Sequence, residues 1–132
     1  MATESFEIES TMEASAAFDR LIDLSMVDQW DEGVREPRLV AGTPGQVGAR
    51  YEVTVTGFDG APTSVVYEIT EAAEPDRFVM VGENDVFRAV DTLVFAPGDT
   101  GSTLDYHGTL ELLGNEAPLT SAQLDSMFPK IA

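Results

Sequence analysis

Hydrophobic residues recur along the chain at two different spacings, and the spacing predicts which segments are helices and which are strands. Between residues 10 and 34, apolar positions repeat every three or four residues, as they do on one side of an amphipathic helix. These positions are Ala14, Ala17, Phe18, Leu21 and Ile22. We therefore expect a helix that begins between Thr11 and Ser15 and buries this side.

Further signals mark the limits of the helical region. Ser10, with Glu13 three residues later, has the form of a capping box, in which each side chain satisfies a backbone N–H at the start of a helix. Ser25 is expected to open a second short helical turn that carries Trp30, the only tryptophan in the chain. Gly33 is expected to end this second helix.

Alternation of apolar and polar residues, the period of a strand with one buried face, occupies most of the remaining chain. The expected strands are residues 6–10, 34–40, 49–56, 63–71, 77–83, 86–97 and 102–113. Pro37 lacks a backbone N–H, so it confines its strand to an edge or a bulge. Asp59-Gly60 and similar turn signals join successive strands as hairpins, which predicts a meandering antiparallel sheet.

Three glycines, Gly42, Gly45 and Gly48, precede the third strand and raise the question of a phosphate-binding loop. Such a loop needs a lysine and a hydroxyl residue directly after the glycines, and a helix that begins there. The sequence supplies neither, so we interpret this segment as a turn.

After Gly114 the helical spacing returns. Thr120 with Gln123 forms a second capping-box pattern, and Pro129 interrupts the helix because a proline there removes a hydrogen bond. The apolar side consists of Leu124, Met127, Phe128 and Ile131. The sequence therefore predicts a short C-terminal helix and, with the sheet, an α+β fold.

Length and charge limit the classes of protein to which the chain can belong. With 132 residues, 43% of them hydrophobic, it has the size of one globular domain spanning residues 1–132. Seven basic residues, among which Lys130 is the only lysine, against 24 acidic ones give a formal net charge of -17. This charge repels phosphate backbones and anionic membranes, so we expect no nucleic acid and no acidic membrane surface as a partner.

Several kinds of site lack their usual residues in this sequence. There is no cysteine and only one histidine, His107, so no disulfide, thiolate nucleophile or zinc-binding set is recognisable. His107 and Asp105 are both expected on the solvated face of the last strand, with no serine in a recognisable nucleophile motif. We expect no metal and no cofactor.

The N-terminal segment lacks the features of a signal peptide, and no segment has the length of a membrane span. We therefore expect a cytoplasmic protein. Because Pro37 disfavours pairing along its edge strand, we expect a monomer or a weak dimer.

The residues that carry a family resemblance are spread over nearly the whole chain. They are Ala14, Phe18, residues 21–24, Trp30 followed by Val34, Gly48, residues 74–78 and residues 101–103. In this order, among these elements, they resemble the START-like helix-grip (SRPBCC) superfamily, which includes polyketide cyclase/dehydrase-type and lipid-transfer proteins. The resemblance implies a seven-stranded antiparallel sheet, elements in the order β-α-α-β-β-β-β-β-β-α, and the C-terminal helix over the concave face. From the sequence we expect this helix to be shorter than is usual in the family.

The resemblance also implies a cavity between sheet and C-terminal helix for an apolar or amphipathic small molecule. The strand pattern agrees in part, because one face carries a continuous apolar row with tyrosines from several strands, a common composition of small-molecule sites. The predicted ligand-binding residues are Trp30, Tyr51, Val53, Tyr67, Met80, Phe87, Asp91, Leu93, Tyr106 and Met127. For each tyrosine the alternative is a core side chain whose hydroxyl reaches the rim.

Asp91 is the candidate catalytic residue, because it shares a row with Leu93 and Phe95 and faces inward if they do. A buried carboxylate needs a partner or a raised pKa, which suits a general base or a group that orients a ligand. A register slip of one residue would instead turn Asp91 to solvent.

Three functions remain open at this point. The first, favoured by the lack of a recognisable catalytic motif, is binding or transport of a hydrophobic small molecule such as a lipid or polyketide. The second is a cyclase or dehydratase in which Asp91 is the general base and Tyr51, Tyr67 or Tyr106 donates a proton or orients the substrate. The third is a protein-interaction or chaperone-regulating module.

Overall fold

The computed structural model describes residues 2–29, 33–56 and 60–113. Within them, one α-helix and one 3₁₀ helix lie between the first and second of seven strands. The elements are β1 (Ala2–Ser10), α1 (Ala14–Ile22), the 3₁₀ helix (Leu24–Gln29), β2 (Val34–Ala41), β3 (Arg50–Thr56), β4 (Pro62–Ala73), β5 (Arg77–Glu83), β6 (Phe87–Gly98) and β7 (Gly101–Leu112). All seven predicted strands are present. The predicted C-terminal helix, together with Trp30 and Asp59, lies outside the described residues.

The strands form one antiparallel sheet in the order β1-β7-β6-β5-β4-β3-β2. Strands β2 to β7 pair with their neighbours in sequence, which confirms the predicted meander. The first strand pairs with the last, so that Ser5 lies opposite His107 although 102 residues separate them. The sheet therefore brings the two ends of the described chain together.

Helix α1 buries the predicted side, with Ala17, Phe18, Leu21 and Ile22 all buried. The predicted capping box is wrong. Glu13 occupies the N-cap position and its side chain makes no capping bond. Ser10 instead accepts a hydrogen bond from the Met12 N–H at 3.0 Å, because it is still the last residue of β1.

The second helical segment starts one residue earlier than expected, at Leu24. Asp23 Oδ1 accepts hydrogen bonds from the Ser25 N–H at 3.2 Å and from the Ser25 hydroxyl at 2.7 Å. The carboxylate of Asp23, rather than the hydroxyl of Ser25, therefore caps this turn.

Strand β2 is an edge strand of the sheet. Its pairing with β3 shifts between Arg35 and Arg38, on either side of Pro37. Glu36 adopts a φ of 51°, which is uncommon for a residue with a side chain. The prediction of an edge position or a bulge at Pro37 is confirmed in both respects.

The three glycines before β3 form a turn, as interpreted from the sequence. Gly42, Gly45 and Gly48 all have positive φ, and β3 follows them directly. At Gly42 a side chain would also meet the backbone, because a Cβ atom there would lie 2.8 Å from Ala49 Cα.

One face of the sheet, the inner face, packs against α1. Phe18 of α1 contacts Phe78 and Phe95 edge-on, with ring centroids 5.7 and 5.6 Å apart. The buried residues of the inner face are Tyr51, Val53, Val65, Ile69, Phe78, Met80, Phe87, Ala89, Asp91, Leu93, Phe95, Leu104, Tyr106 and Leu110. Alternate positions of every central strand therefore form one core.

The opposite, outer face carries charge. Four ion pairs join neighbouring strands there: Arg38–Glu52 at 2.6 Å, Arg50–Glu68 at 2.7 Å, Arg77–Glu71 at 3.1 Å and Arg88–Glu83 at 3.8 Å. Their side chains are partly exposed, so each pair contributes little to stability. Their placement matters more, because it puts these four arginines on the face away from the core.

Candidate functional site

Asp91 lies at the centre of the inner face and is only 2% exposed. Its neighbours across the sheet are Met80 of β5 and Gly108 of β7. The pairing of β6 with both neighbours is regular, and the shift in this part of the sheet falls in β4, between Ile69 and Glu71. The predicted inward orientation of Asp91 is confirmed, and the register slip that would have exposed it does not occur.

The hydroxyl of Tyr106 donates a hydrogen bond to Asp91 Oδ1. This contact is possible because Gly108, two residues along β7, leaves room for it. A Cβ atom at position 108 would overlap the Tyr106 hydroxyl and lie 2.9 Å from Asp91 Oδ1. The Asp91–Tyr106 pair thus depends on the absence of a side chain at Gly108.

The surroundings keep the phenol of Tyr106 protonated. Burial raises its pKa most, and the charge of Asp91 and the hydrogen bond to it act in the same direction. Smaller contributions of the same sign come from Tyr67 and Glu4. Tyr106 is therefore a neutral donor to Asp91 and a poor acid toward any other group.

The first strand supports the ring of Tyr106. Phe6 of β1 lies opposite Tyr106 of β7, and the two rings stack with centroids 4.6 Å apart at an angle of 25°. Glu4 lies opposite Gly108, which itself lies opposite Asp91. The backbones of Glu4 and Asp91 are therefore two strand spacings apart, about 10 Å.

Tyr67 of β4 reaches toward the same part of the sheet. Its ring lies over Gly82 of β5, where a Cβ atom would be 2.6 Å from Tyr67 Cζ. Gly82 pairs with Ala89 of β6, so the ring extends across β5 toward the strand that carries Asp91. A second glycine thus makes room for a second tyrosine.

Tyr51 does not join this group, although the sequence placed it near Asp91. Its hydroxyl accepts a hydrogen bond from the Gly45 N–H at 2.9 Å and donates to Asp23 Oδ1 at 3.4 Å. Burial raises the pKa of Tyr51, the Gly45 N–H opposes this, and Asp23 raises it further. Tyr51 therefore ties β3 to the glycine turn and to the end of α1.

The other predicted ligand-binding residues fall into two sets. Those within the described residues are buried on the inner face: Val53, Met80, Phe87 and Leu93. Trp30 and Met127 lie outside the described residues. The inner face that carries Asp91 therefore also carries six apolar or aromatic predicted residues: Val53, Tyr67, Met80, Phe87, Leu93 and Tyr106.

His107 and Asp105 lie on the outer face and are exposed, as predicted. The sequence did not reveal the partner of His107, which is Ser5 of β1, with 2.7 Å between Ser5 Oγ and His107 Nδ1. Asp105 pairs with Glu7 instead, because these two lie opposite each other on β7 and β1. A hydrogen bond to Asp105 and repulsion between the two carboxylates raise the pKa of Glu7. Since Asp105 interacts with Glu7 and not with His107, these residues do not form a Ser-His-Asp triad.

The outer face also has a shallow hollow of about 320 Å³. Its walls include both partners of two ion pairs, Arg50–Glu68 and Arg88–Glu83. These charged groups already satisfy one another, so the inner face remains the stronger candidate site.

A family model described as polyketide cyclase/dehydrase and lipid transport matches residues 1–130. The chain belongs to this family. The resemblance to the START-like helix-grip superfamily is thereby confirmed. No curated protein matches the chain.

Solved structures share the fold of this polyketide cyclase/dehydrase and lipid transport family member. The crystal structure of Ara h 8.0201 has a TM-score of 0.72 at 18% identity, over 94% of this chain and 85% of that one. An uncharacterized protein from Rhizobium leguminosarum has a TM-score of 0.71 at 15% identity, over 95% and 86%. A solution NMR structure from Thermobifida fusca has a TM-score of 0.65 at 22% identity, over 84% of this chain and 74% of that one. At these identities the likeness shows the fold alone.

Four residues that shape the site in this family member were missed from the sequence: Glu4, Phe6, Gly82 and Gly108. Glu4 and Phe6 join it through the pairing of β1 with β7, which no local pattern announces. The glycines carried a signal, since glycine inside a strand often marks a close approach by another group.

Metal-binding clusters of acidic residues or histidine are absent from the described ranges. Neither described helix has the length and apolar content that crossing a bilayer requires.

Proposed function

We propose that the protein binds a hydrophobic or amphipathic small molecule, such as a lipid or polyketide, against the inner face, with the C-terminal segment closing the site as a helix. The observation that carries this proposal is the buried Asp91–Tyr106 pair in an otherwise apolar surface. Membership of a family described by polyketide cyclization and lipid transport supports it.

A purely structural core has little use for this pair. Burying a carboxylate is costly unless it is hydrogen-bonded, and replacing buried polar pairs by apolar residues is often neutral or stabilising. A few polar groups in an apolar wall are, by contrast, the usual way in which a small-molecule site fixes the orientation of its ligand. The pair is therefore best explained as an anchor for the polar end of a ligand.

Access to this anchor requires movement. Asp91 is 2% and Tyr106 1% exposed, so a ligand can reach them only when a covering segment opens. Segments with few buried contacts open at much lower free energy than the centre of a sheet. Ligand binding should therefore be slower than diffusion and should stabilise the closed form.

The test is binding to wild type and to Asp91→Ala, with Thr92→Ala as the matched control. Thr92 follows Asp91 in β6 and faces outward, opposite His107. Native mass spectrometry would detect a small molecule that copurifies from host extract, and the neutral dye Nile red would report an apolar site. We expect binding by wild type and Thr92→Ala, and weaker retention of the copurified molecule by Asp91→Ala. No copurified molecule, no dye binding and no thermal shift with a panel of apolar ligands would refute the proposal.

A second candidate function is catalysis of a cyclization or dehydration, favoured by the buried carboxylate of Asp91. Because the pKa of Tyr106 is raised, this tyrosine is a poor proton donor, so Asp91 would be the general base and Tyr106 a positioning residue. Turnover of a poly-β-ketone by wild type and its loss in Asp91→Asn, with dye binding retained, would support this candidate. Binding without turnover would remove it.

The proposed partners, location and oligomeric state follow from the composition of the chain. Nucleic acid is a poor partner for a chain with a net charge of -17, and the absence of cysteine is compatible with a reducing cytoplasm. We keep a monomer or a weak dimer as the proposed state.

A further inference from the structure

The Asp91–Tyr106 pair presents acceptors to a ligand. The phenol has a single proton, and it is donated to Asp91 Oδ1. What the hydroxyl can still offer is lone pairs, and Asp91 Oδ1, which accepts this bond, also offers lone pairs. A ligand that meets these two oxygens must therefore bring the proton itself.

Within the described part of the chain, the charged side chains nearest to the pair on the inner face are acidic. Glu4 lies on the same cross-strand row as Asp91, with only Gly108 between them. The five arginines of the sheet lie on the outer face: Arg35, Arg38, Arg50, Arg77 and Arg88. Arg20 is exposed on α1. Among residues 2–29, 33–56 and 60–113, the inner face thus carries carboxylates and no basic side chain.

We infer that the inner-face site selects apolar molecules that carry a protonated amine and rejects those that carry a carboxylate. This inference rests on the proposed function and names the ligand class of the same site. The ammonium group of such a ligand donates to Asp91 and to the oxygen of Tyr106, while its apolar part lies against the surrounding inner face.

The electrostatics of a buried site make the selection strong. Acidic side chains attract an ammonium group and repel a carboxylate, and both effects are stronger at the effective dielectric of a protein site than in bulk water. Desolvation of the ligand's charge opposes binding of either head group. The difference between the two head groups is therefore more robust than either affinity, and we expect the amine to bind at least tenfold more tightly.

The experiment compares three naphthyl probes that carry an amine, an alcohol and a carboxylate: 2-(1-naphthyl)ethylamine, 2-(1-naphthyl)ethanol and naphthalene-1-acetate. A decyl series carries the same three head groups. Each is titrated at low and high salt, because the acidic surface attracts any cation and salt screens that attraction. The variant is Asp91→Asn, which replaces a carboxylate by an amide that also donates. The control is Asp99→Asn, which makes the same change of charge in the exposed turn between β6 and β7. Tyr106→Phe is a second site variant, and circular dichroism verifies that each variant folds.

We expect the amine preference to persist at high salt and to remain in Asp99→Asn. In Asp91→Asn it should fall at least fivefold. If Asp91→Asn does not fold, the same fall is expected in Tyr106→Phe. Equal binding of the three head groups, or tighter binding of the carboxylate, would overturn the inference while Nile red binding leaves the proposed function intact. A preference that disappears at high salt, or falls equally in Asp99→Asn, would be surface attraction and would overturn it as well. If neither the probes nor Nile red bind, the proposed function fails together with the inference.

Discussion

Removal of one hydroxyl group measures the strength of the interaction on which the site depends. Tyr106→Phe keeps the ring, its stack on Phe6 and its burial, so the group that is lost is the one that donates to Asp91. A buried acceptor that loses the donor of a hydrogen bond costs about 1–3 kcal/mol. We expect the free energy of unfolding to fall by about 2 kcal/mol, which at about 3 °C per kcal/mol lowers the Tm by about 6 °C.

The partner substitution isolates the interaction. Asp91→Ala leaves the buried hydroxyl of Tyr106 without this acceptor and should cost about 1–3 kcal/mol. In the double variant the donor and the acceptor of this bond are both gone. The double variant should therefore be more stable than the sum of the two single effects predicts, by about 2 kcal/mol.

Urea denaturation followed by far-UV circular dichroism gives all four free energies, and an unchanged denaturant slope confirms that the unfolding transition is comparable among the variants. The control cycle combines Tyr106→Phe with Thr92→Ala, whose side chain faces the outer side. That cycle should be additive within about 0.5 kcal/mol. If the Tyr106–Asp91 cycle is additive within the same limit, the hydrogen bond does not stabilise the fold and the reasoning is refuted.

Two further predictions concern the rest of the sheet. Glu7→Gln should raise the Tm at neutral pH because it removes repulsion from Asp105. Because the pKa of Glu7 is raised in the folded state, this gain should vanish as the pH falls below the ordinary value of 4.5. Glu9→Gln should give a smaller gain, and equal gains would contradict the assignment of Asp105 as the main source of the repulsion. Gly82→Ala should destabilise by about 1–3 kcal/mol in urea denaturation, since the added methyl meets the ring of Tyr67. The same change made together with Tyr67→Val should cost little, and a stabilising effect in the wild-type background would show that the ring is not seated there.

Local pattern predicted the elements and their facing well for physical reasons. A strand with one buried face must alternate, so the sequence alone assigns Asp91, Leu93 and Phe95 to one row, and all three are buried. Because the same alternation fixes both faces, it also placed His107 and Asp105 outside. The face on which a side chain lies depends on its own strand alone, so the sequence of that strand is sufficient to predict it.

Neighbours across the sheet are not a property of one strand, and there the sequence was insufficient. Three tyrosines were equivalent candidates for the partner of Asp91, and the structure selects Tyr106 through Gly108 and Phe6 on adjoining strands. Tyr51 is excluded because its hydroxyl binds at the glycine turn. The capping box failed similarly, since the pattern at Ser10 was local but the pairing of β1 extends through that residue.

The two glycines of the inner face give a physical reason to regard this region as a site. Glycine inside a strand lowers stability because it adds backbone entropy to the unfolded chain and offers no side chain to pack. Gly82 and Gly108 nevertheless lie within β5 and β7, each under the ring or hydroxyl of a tyrosine. A sheet that only needed a core could carry smaller residues in place of the two tyrosines, alanine at both glycine positions and an apolar residue in place of Asp91. The combination of two destabilising glycines with a buried carboxylate is understandable if these residues position polar atoms for a ligand, and it has no comparable explanation in packing alone.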